Sequence, residues 1–311
     1  MIVGSEGPGA GSGTGPLTRG DHAGRRRGGP MSDDRRALVL GGGGLTGIAW
    51  MYGLLAGLLA DGVDLRDADL VVGTSAGSVV GANLAVGRDP AALAQTQLAP
   101  PSGEIAATLG LRLAVRYGLA ALAGPRDATR VRARIGRLAL DAETVPEADR
   151  IAVIRSRLDG ADWPADRDLR VTAVDAHTGA FRAFGRDDGV ELATAVAASC
   201  AVPGVWPPVT AAGTRWIDGG ARSAANADLA AGYGRVVVIA PLSLGLGGAG
   251  TPRVQAEALG ALARVAVVEP DRRSRRAFGR NPLDPARRPA SARAGRAQAA
   301  DVAAEVARVW R

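Results

Sequence analysis

The 311-residue chain contains no lysine: all 38 of its basic residues are arginine. So complete a bias reads as GC-rich coding rather than function. Cysteine occurs once, at Cys200, which excludes an internal disulfide and fits a reducing compartment. Histidine occurs twice, at His22 and His177, and no His/Cys/carboxylate group has metal-ligand spacing. No run of about 18 uncharged apolar residues exists, so no transmembrane helix is expected. The Gly-rich N-terminus lacks the apolar core of a secretory signal, and a cytoplasmic location is the expectation.

What is present suits a globular domain. Hydrophobic residues make up 47% and charged residues 22%. The net charge of +7 is local, because residues 271–297 hold nine Arg and two Asp. Such a stretch allows peripheral contact with anionic lipid, although a solvated Arg-rich surface is the simpler explanation. Phe278 is the lone aromatic there, which argues against base stacking and so against nucleic acid as a partner.

Residues 1–34 are Gly, Ser, Pro, Asp and Arg with few apolar groups, and are expected to form a disordered tail. Met31 is an alternative start. From residue 35 to 311 one domain is expected. Ala37-Leu38-Val39-Leu40 reads as a buried strand, followed by Gly41 to Gly44 and an apolar helix over 48–59. Leu70-Val71-Val72 is a second buried strand, Gly73 to Gly77 a tight turn, and 78–86 a helix. Residues 91–160 are mostly helical in pattern, and 106–123 suit either a site lid or an amphipathic helix packed on the core. Residues 169–174 and 180–184 read as strands, 192–199 as a helix, 236–240 as a buried strand and 298–309 as a last helix. Strands alternating with helices imply a three-layer α/β/α fold around a mostly parallel sheet.

The chemistry concentrates in three turns. Gly73-Thr74-Ser75-Ala76-Gly77 is a Gly-x-Ser-x-Gly sequence between a strand and a helix. That sharp turn exposes the serine hydroxyl, while Gly73 and Gly77 allow the backbones to approach. Ser75 is therefore a candidate nucleophile; a glycine-rich turn with an N-cap serine is the bland alternative. The backbone amides of Gly42, Gly43 and Gly44 could hold an oxyanion at a helix start. The spacing Gly42-x-Gly44-x-x-Gly47 also fits a dinucleotide-binding loop, but the second strand ends in Gly73-Thr74-Ser75 rather than in an acid.

A serine nucleophile needs a base. His22 lies in the tail, and His177 precedes a Thr-Gly turn. A triad through His177 stays open, but the scarcity of histidine favours a carboxylate, and Asp218, between Trp216-Ile217 and Gly219-Gly220, is best placed.

In order, the glycine loop, Gly-x-Ser-x-Gly and Asp218-Gly219-Gly220 resemble the patatin-like phospholipases over about residues 37–228. The stretch from Ala198 to Gly204, followed by Trp206-Pro207-Pro208, is similar to the family's segment ahead of its aspartate. The resemblance implies a serine acyl-ester hydrolase acting on lipids, with Ser75 as nucleophile, Asp218 as its base and Gly42 to Gly44 as the oxyanion hole. It implies no cofactor and no metal. One position departs: the family often carries Arg or Lys where this chain has Thr46. A nucleotide-binding oxidoreductase and a non-catalytic lipid-binding relative are the competing readings.

Overall fold

A computed structural model of the chain describes residues 34–100, 107, 127–243 and 250–311. The expected tail over 1–34 falls outside these apart from Asp34, and the expected lid over 106–123 apart from Ala107. Residues Met31–Arg311 form one compact unit.

Its centre is an eight-stranded mixed sheet. The strands are β1 (Arg36–Leu40), β2 (Leu70–Gly73), β3 (Asp168–Asp175), β4 (Phe181–Phe184), β5 (Val209–Ala211), β6 (Thr214–Asp218), β7 (Arg235–Ile239) and β8 (Arg264–Val268). Hydrogen-bonded neighbours link up as β5-β6-β3-β2-β1-β7-β8, and β4 pairs with β3 as well. The stretch from β3 to β8 is parallel, whereas β4, β5 and β6 pair antiparallel.

Short apolar runs without polar alternation, such as Ala37 to Leu40, need cover on both faces. The cover comes from α1 (Gly44–Ala60), α2 (Ala76–Ala85), α3 (Pro90–Thr96), α4 (Ala128–Leu140), α5 (Glu147–Leu158), α6 (Leu192–Ser199), α7 (Pro252–Gly260), α8 (Arg272–Phe278) and α9 (Arg288–Trp310). Leu38 and Leu40 face a core built by α1, α2, α5, α6 and α9. Ala37 and Val39 face the opposite core, with Leu259 of α7 and the segment Ala227–Ala230. Val131, Ile135 and Ala139 of α4 meet Val174 and Ile217 in a third cluster. The result is the three-layer α/β/α arrangement that the alternation implied.

Helix α1 is buried from Leu45 to Leu58, as befits a helix that is apolar all round. It lies directly against α9. A Cβ on Gly295 would overlap the Trp50 carbonyl oxygen, and one on Gly53 the Ala292 carbonyl oxygen. The Trp50 indole donates to Ser274 Oγ at 3.1 Å and to Gln298 Oε1 at 3.2 Å, so the one polar atom of that ring is satisfied inside the core.

One strand arrangement positions the site. Val171 of β3 pairs with Gly73 of β2 and also with Phe184 of β4. Ala173 pairs with Asp218 of β6 and also with Arg182 of β4. Since β4 takes one edge of β3, β2 and β6 share the other. There β2 runs parallel to β3 and β6 antiparallel, so their ends point at each other with Thr172 alone between them.

Candidate active site

Ser75 and Asp218 stand at these two facing ends. Ser75 directly precedes α2 and adopts φ 52° and ψ −117°, a region that costs on the order of 1–3 kcal/mol for a residue with a side chain. The surrounding structure holds it there. A Cβ on Gly77 would overlap the Leu40 carbonyl oxygen, so α2 can start this close to β1 only with glycine. A Cβ on Gly73 would lie 2.5 Å from the Ser78 Cα. The Ser75 amide donates to Ser199 Oγ at 2.9 Å, and the Ser78 hydroxyl donates to the Ser75 carbonyl at 2.6 Å. The side chain sits at the N-terminus of α2, where negative charge is favoured.

Asp218 ends β6. Its amide donates to the Ala201 carbonyl at 3.0 Å, and its carboxylate accepts from the Gly220 amide at 2.7 Å. Ser75 is 8% and Asp218 5% exposed. Burial pushes the Asp218 carboxyl up from its ordinary 3.8 to about 6; the Ser75 hydroxyl, the Gly220 amide and the Arg150 charge pull the other way and do not offset it. A carboxylate with raised proton affinity beside a serine hydroxyl can accept that hydroxyl's proton.

A buried polar lattice spans the gap between the two ends. The Thr172 hydroxyl lies 3.3 Å from the Gly73 carbonyl and 2.9 Å from the Thr74 hydroxyl. Asn226 donates its side-chain amide to Thr74 Oγ1 at 3.0 Å and approaches the Gly219 and Ser223 carbonyls. Gly219 leaves no room for a side chain over Thr172.

The Gly42 amide donates to the Ala224 carbonyl at 2.8 Å, and a Cβ on Gly42 would lie 3.6 Å from that of Ser75. The Gly43 and Gly44 amides, at the start of α1, have no partner among the described residues. Thr46 is fully buried; its amide donates to the Pro282 carbonyl at 3.0 Å and its hydroxyl turns back toward the Gly43 carbonyl.

Ser75 opens into a cleft of about 30 Å³ that is walled by Gly44, Ile48, Arg150, Arg157, Trp206 and Leu283. The Arg150 guanidinium lies 4.1 Å from the centre of the Trp206 ring. No motif announces Arg150, Thr172 or Asn226, whereas Ser199 falls in the Ala198 to Gly204 stretch. Cys200, beside the Ser75 carbonyl, is a buried thiol pushed up to about 11 by burial, hence inert as a nucleophile.

His177 is exposed in the turn after β3, where its amide donates to Asp175 Oδ1 at 2.7 Å. Gly73, at the tip of β2, is not the acid that a dinucleotide ribose would need. Among the described residues no group of three or more His, Cys, Asp or Glu could hold a metal ion, and no helix is long and apolar enough to cross a membrane.

A family model described as patatin-like phospholipase matches residues 38–231. Among solved structures, VipD from Legionella pneumophila is similar at 15% identity and TM-score 0.43, over 87% of this chain and 66% of that one. The type III effector protein ExoU is similar at 14% identity and TM-score 0.41, over 89% of this chain and 54% of that one. The chain thus spans less than two-thirds of the length of either. No curated protein matches it.

Proposed function

The chain belongs to the patatin-like phospholipase family, and from that premise we propose that residues 35–311 are one catalytic unit that hydrolyses lipid acyl esters through Ser75 and Asp218. Family membership supports lipid hydrolase activity. The finer reading, a Ser–Asp dyad and an acyl-enzyme, is carried by one observation: a strained serine at a strand-to-helix turn lies beside a buried aspartate whose carboxyl is lifted to about 6.

In the first half-reaction, Asp218 takes the Ser75 proton as Ser75 Oγ attacks the ester carbonyl carbon. The carbonyl oxygen becomes an oxyanion, for which the Gly43 and Gly44 amides and the N-terminus of α2 are the available positive poles. Asp218 then gives its proton to the leaving alkoxide, and the acyl group stays on Ser75. A water attacks that acyl group with Asp218 again as base, which releases the fatty acid and restores both residues. The Arg-rich segment 271–297 is the part of the surface suited to peripheral contact with an anionic membrane.

Fluorophosphonate labelling of the wild type beside Ser75→Ala tests the nucleophile. The expected result is labelling of the wild type alone; an unlabelled, folded wild type leaves the non-catalytic lipid-binding reading standing. Asp218→Asn is expected to abolish esterase activity while remaining folded, and His177→Ala to keep most of it. A loss of several orders of magnitude in His177→Ala would restore a histidine triad.

A further inference from the structure

The Ser75 cleft has a cationic wall. Arg150 and Arg157 stand seven residues apart on α5, two helical turns, and both line the cleft. Arg150 is 4% exposed and stacked on Trp206. Stacking holds the plane of the guanidinium fork and limits the rotamer freedom lost when it binds something. The charge of Arg150 reaches both Asp218 and Cys200, and that of Arg157 reaches Cys200, in each case favouring the negative form. The opposite walls are apolar, with Ile48, Val202 and Leu283.

The cleft itself holds little more than a water or an ester carbonyl. Arg157, however, also borders a cavity of about 710 Å³ that shares Leu45 and Ile48 with the cleft. A charged group beside the ester would have space there without leaving the reach of the arginines.

We propose that Arg150 and Arg157 are specificity-determining residues that bind a phosphate carried by the substrate next to its scissile ester. A planar guanidinium offers phosphate two parallel N–H donors, and in a desolvated cleft such charge-assisted bonds are the strong ones. The proposal rests on Ser75 hydrolysing esters.

The test compares two monomeric esters with the same acyl chains, dihexanoyl phosphatidic acid and dihexanoylglycerol, each below its micelle concentration so that adsorption to a surface plays no part. The wild type is expected to show higher kcat/KM for the phosphate ester. Arg157→Gln should lower the ratio of the two kcat/KM values by roughly tenfold or more, mainly through KM, and Arg157→Lys should recover part of it. Arg150→Lys, which keeps the charge but loses the fork and the stacking on Trp206, should lower the same ratio and serves if Arg157→Gln fails to fold. No preference in the wild type, or an equal loss on both esters in the variants, overturns the proposal. If Ser75 is still labelled by fluorophosphonate in that case, ester hydrolysis survives and only the role of the arginines falls. Absence of both labelling and turnover instead removes the hydrolase reading on which the proposal rests.

Discussion

Asn226 donates its side-chain amide to the Thr74 hydroxyl at 3.0 Å, one residue before Ser75, although the two lie on opposite sides of the β2–β6 junction. The same amide approaches Thr172 Oγ1 and the Gly219 carbonyl, so one fully buried side chain ties both strand ends to β3. Replacing it by Ala strands several buried partners, and a cost of about 2–4 kcal/mol is expected. Asn226 also has φ 54°, a left-handed conformation. Asn226→Gly tolerates that backbone but still lacks the amide. Equal destabilisation of the Ala and Gly variants in urea melts would assign the effect to the hydrogen bonds. Recovery in the Gly variant would assign it to backbone conformation. In either variant kcat should fall more than KM rises, because the lattice positions Ser75 and Asp218 and touches no substrate.

With Asp218 as the proposed base, a pH dependence of catalysis is expected. The base must be ionised, and burial places its pKa at about 6. kcat/KM should climb tenfold per pH unit below 6 and level off above it. A profile already flat between pH 4.5 and 7.5 would argue against a buried carboxylate as the base.

The same burial makes Asp218 a cost to the fold. Its proton is held more tightly in the folded chain than in the unfolded one. The folded state is therefore favoured in full below about pH 4 and loses that contribution as pH rises through 6. The rise of about two units from 3.8 corresponds to about 3 kcal/mol above pH 7. Asp218→Asn should thus melt at higher temperature than the wild type at pH 8, with the difference shrinking toward pH 4. Thermal melts at both pH values decide it, and a variant less stable than the wild type at pH 8 would contradict the picture.

How much of this was legible beforehand depends on sequence distance. The glycine loop, Ser75 and Asp218 each announce themselves within five residues, because a sharp strand-to-helix turn has local requirements. The helix over Leu192–Ser199 was legible from its own pattern. Thr172, Asn226 and Arg150 belong to contacts between remote segments, and nothing in their neighbours marks them; Ser199 lies in the marked Ala198 to Gly204 stretch, but its bond to the Ser75 amide is equally remote. The occupied amide of Gly42 was hidden for the same reason, since its acceptor Ala224 follows Asp218. Helix α9 begins at Arg288 rather than near 298, because Pro289 in its first turn starts a helix instead of ending one. Strand β8 carries little local signal: Arg264–Val268 is short and follows Ala261-Leu262-Ala263 without a break in apolar character, and its pairing with β7 defines it.

The contact between α1 and α9 yields a prediction far from the chemistry. Gly295 packs directly on the Trp50 carbonyl. Gly295→Val must push the helices apart in a close-packed core and should cost about 2–4 kcal/mol. Specific activity per folded molecule should remain close to that of the wild type if Ser75 and Asp218 keep their places. Circular dichroism melts and fluorophosphonate titration of the folded fraction measure the two separately.

The facing ends of β2 and β6 turn β3 into a ruler. The spacing of the proposed nucleophile and base is metered by one residue, Thr172, on a strand to which no reacting atom is assigned. Loops that lead into either strand can lengthen without altering that spacing. A single insertion or deletion between Val171 and Ala173 cannot be absorbed in this way. It would displace Asp218 along the edge by one strand step, about 3.3 Å, and turn the alternation of side chains over. Tolerance to length change should therefore drop to its minimum in a segment that active-site mutagenesis would ordinarily pass over.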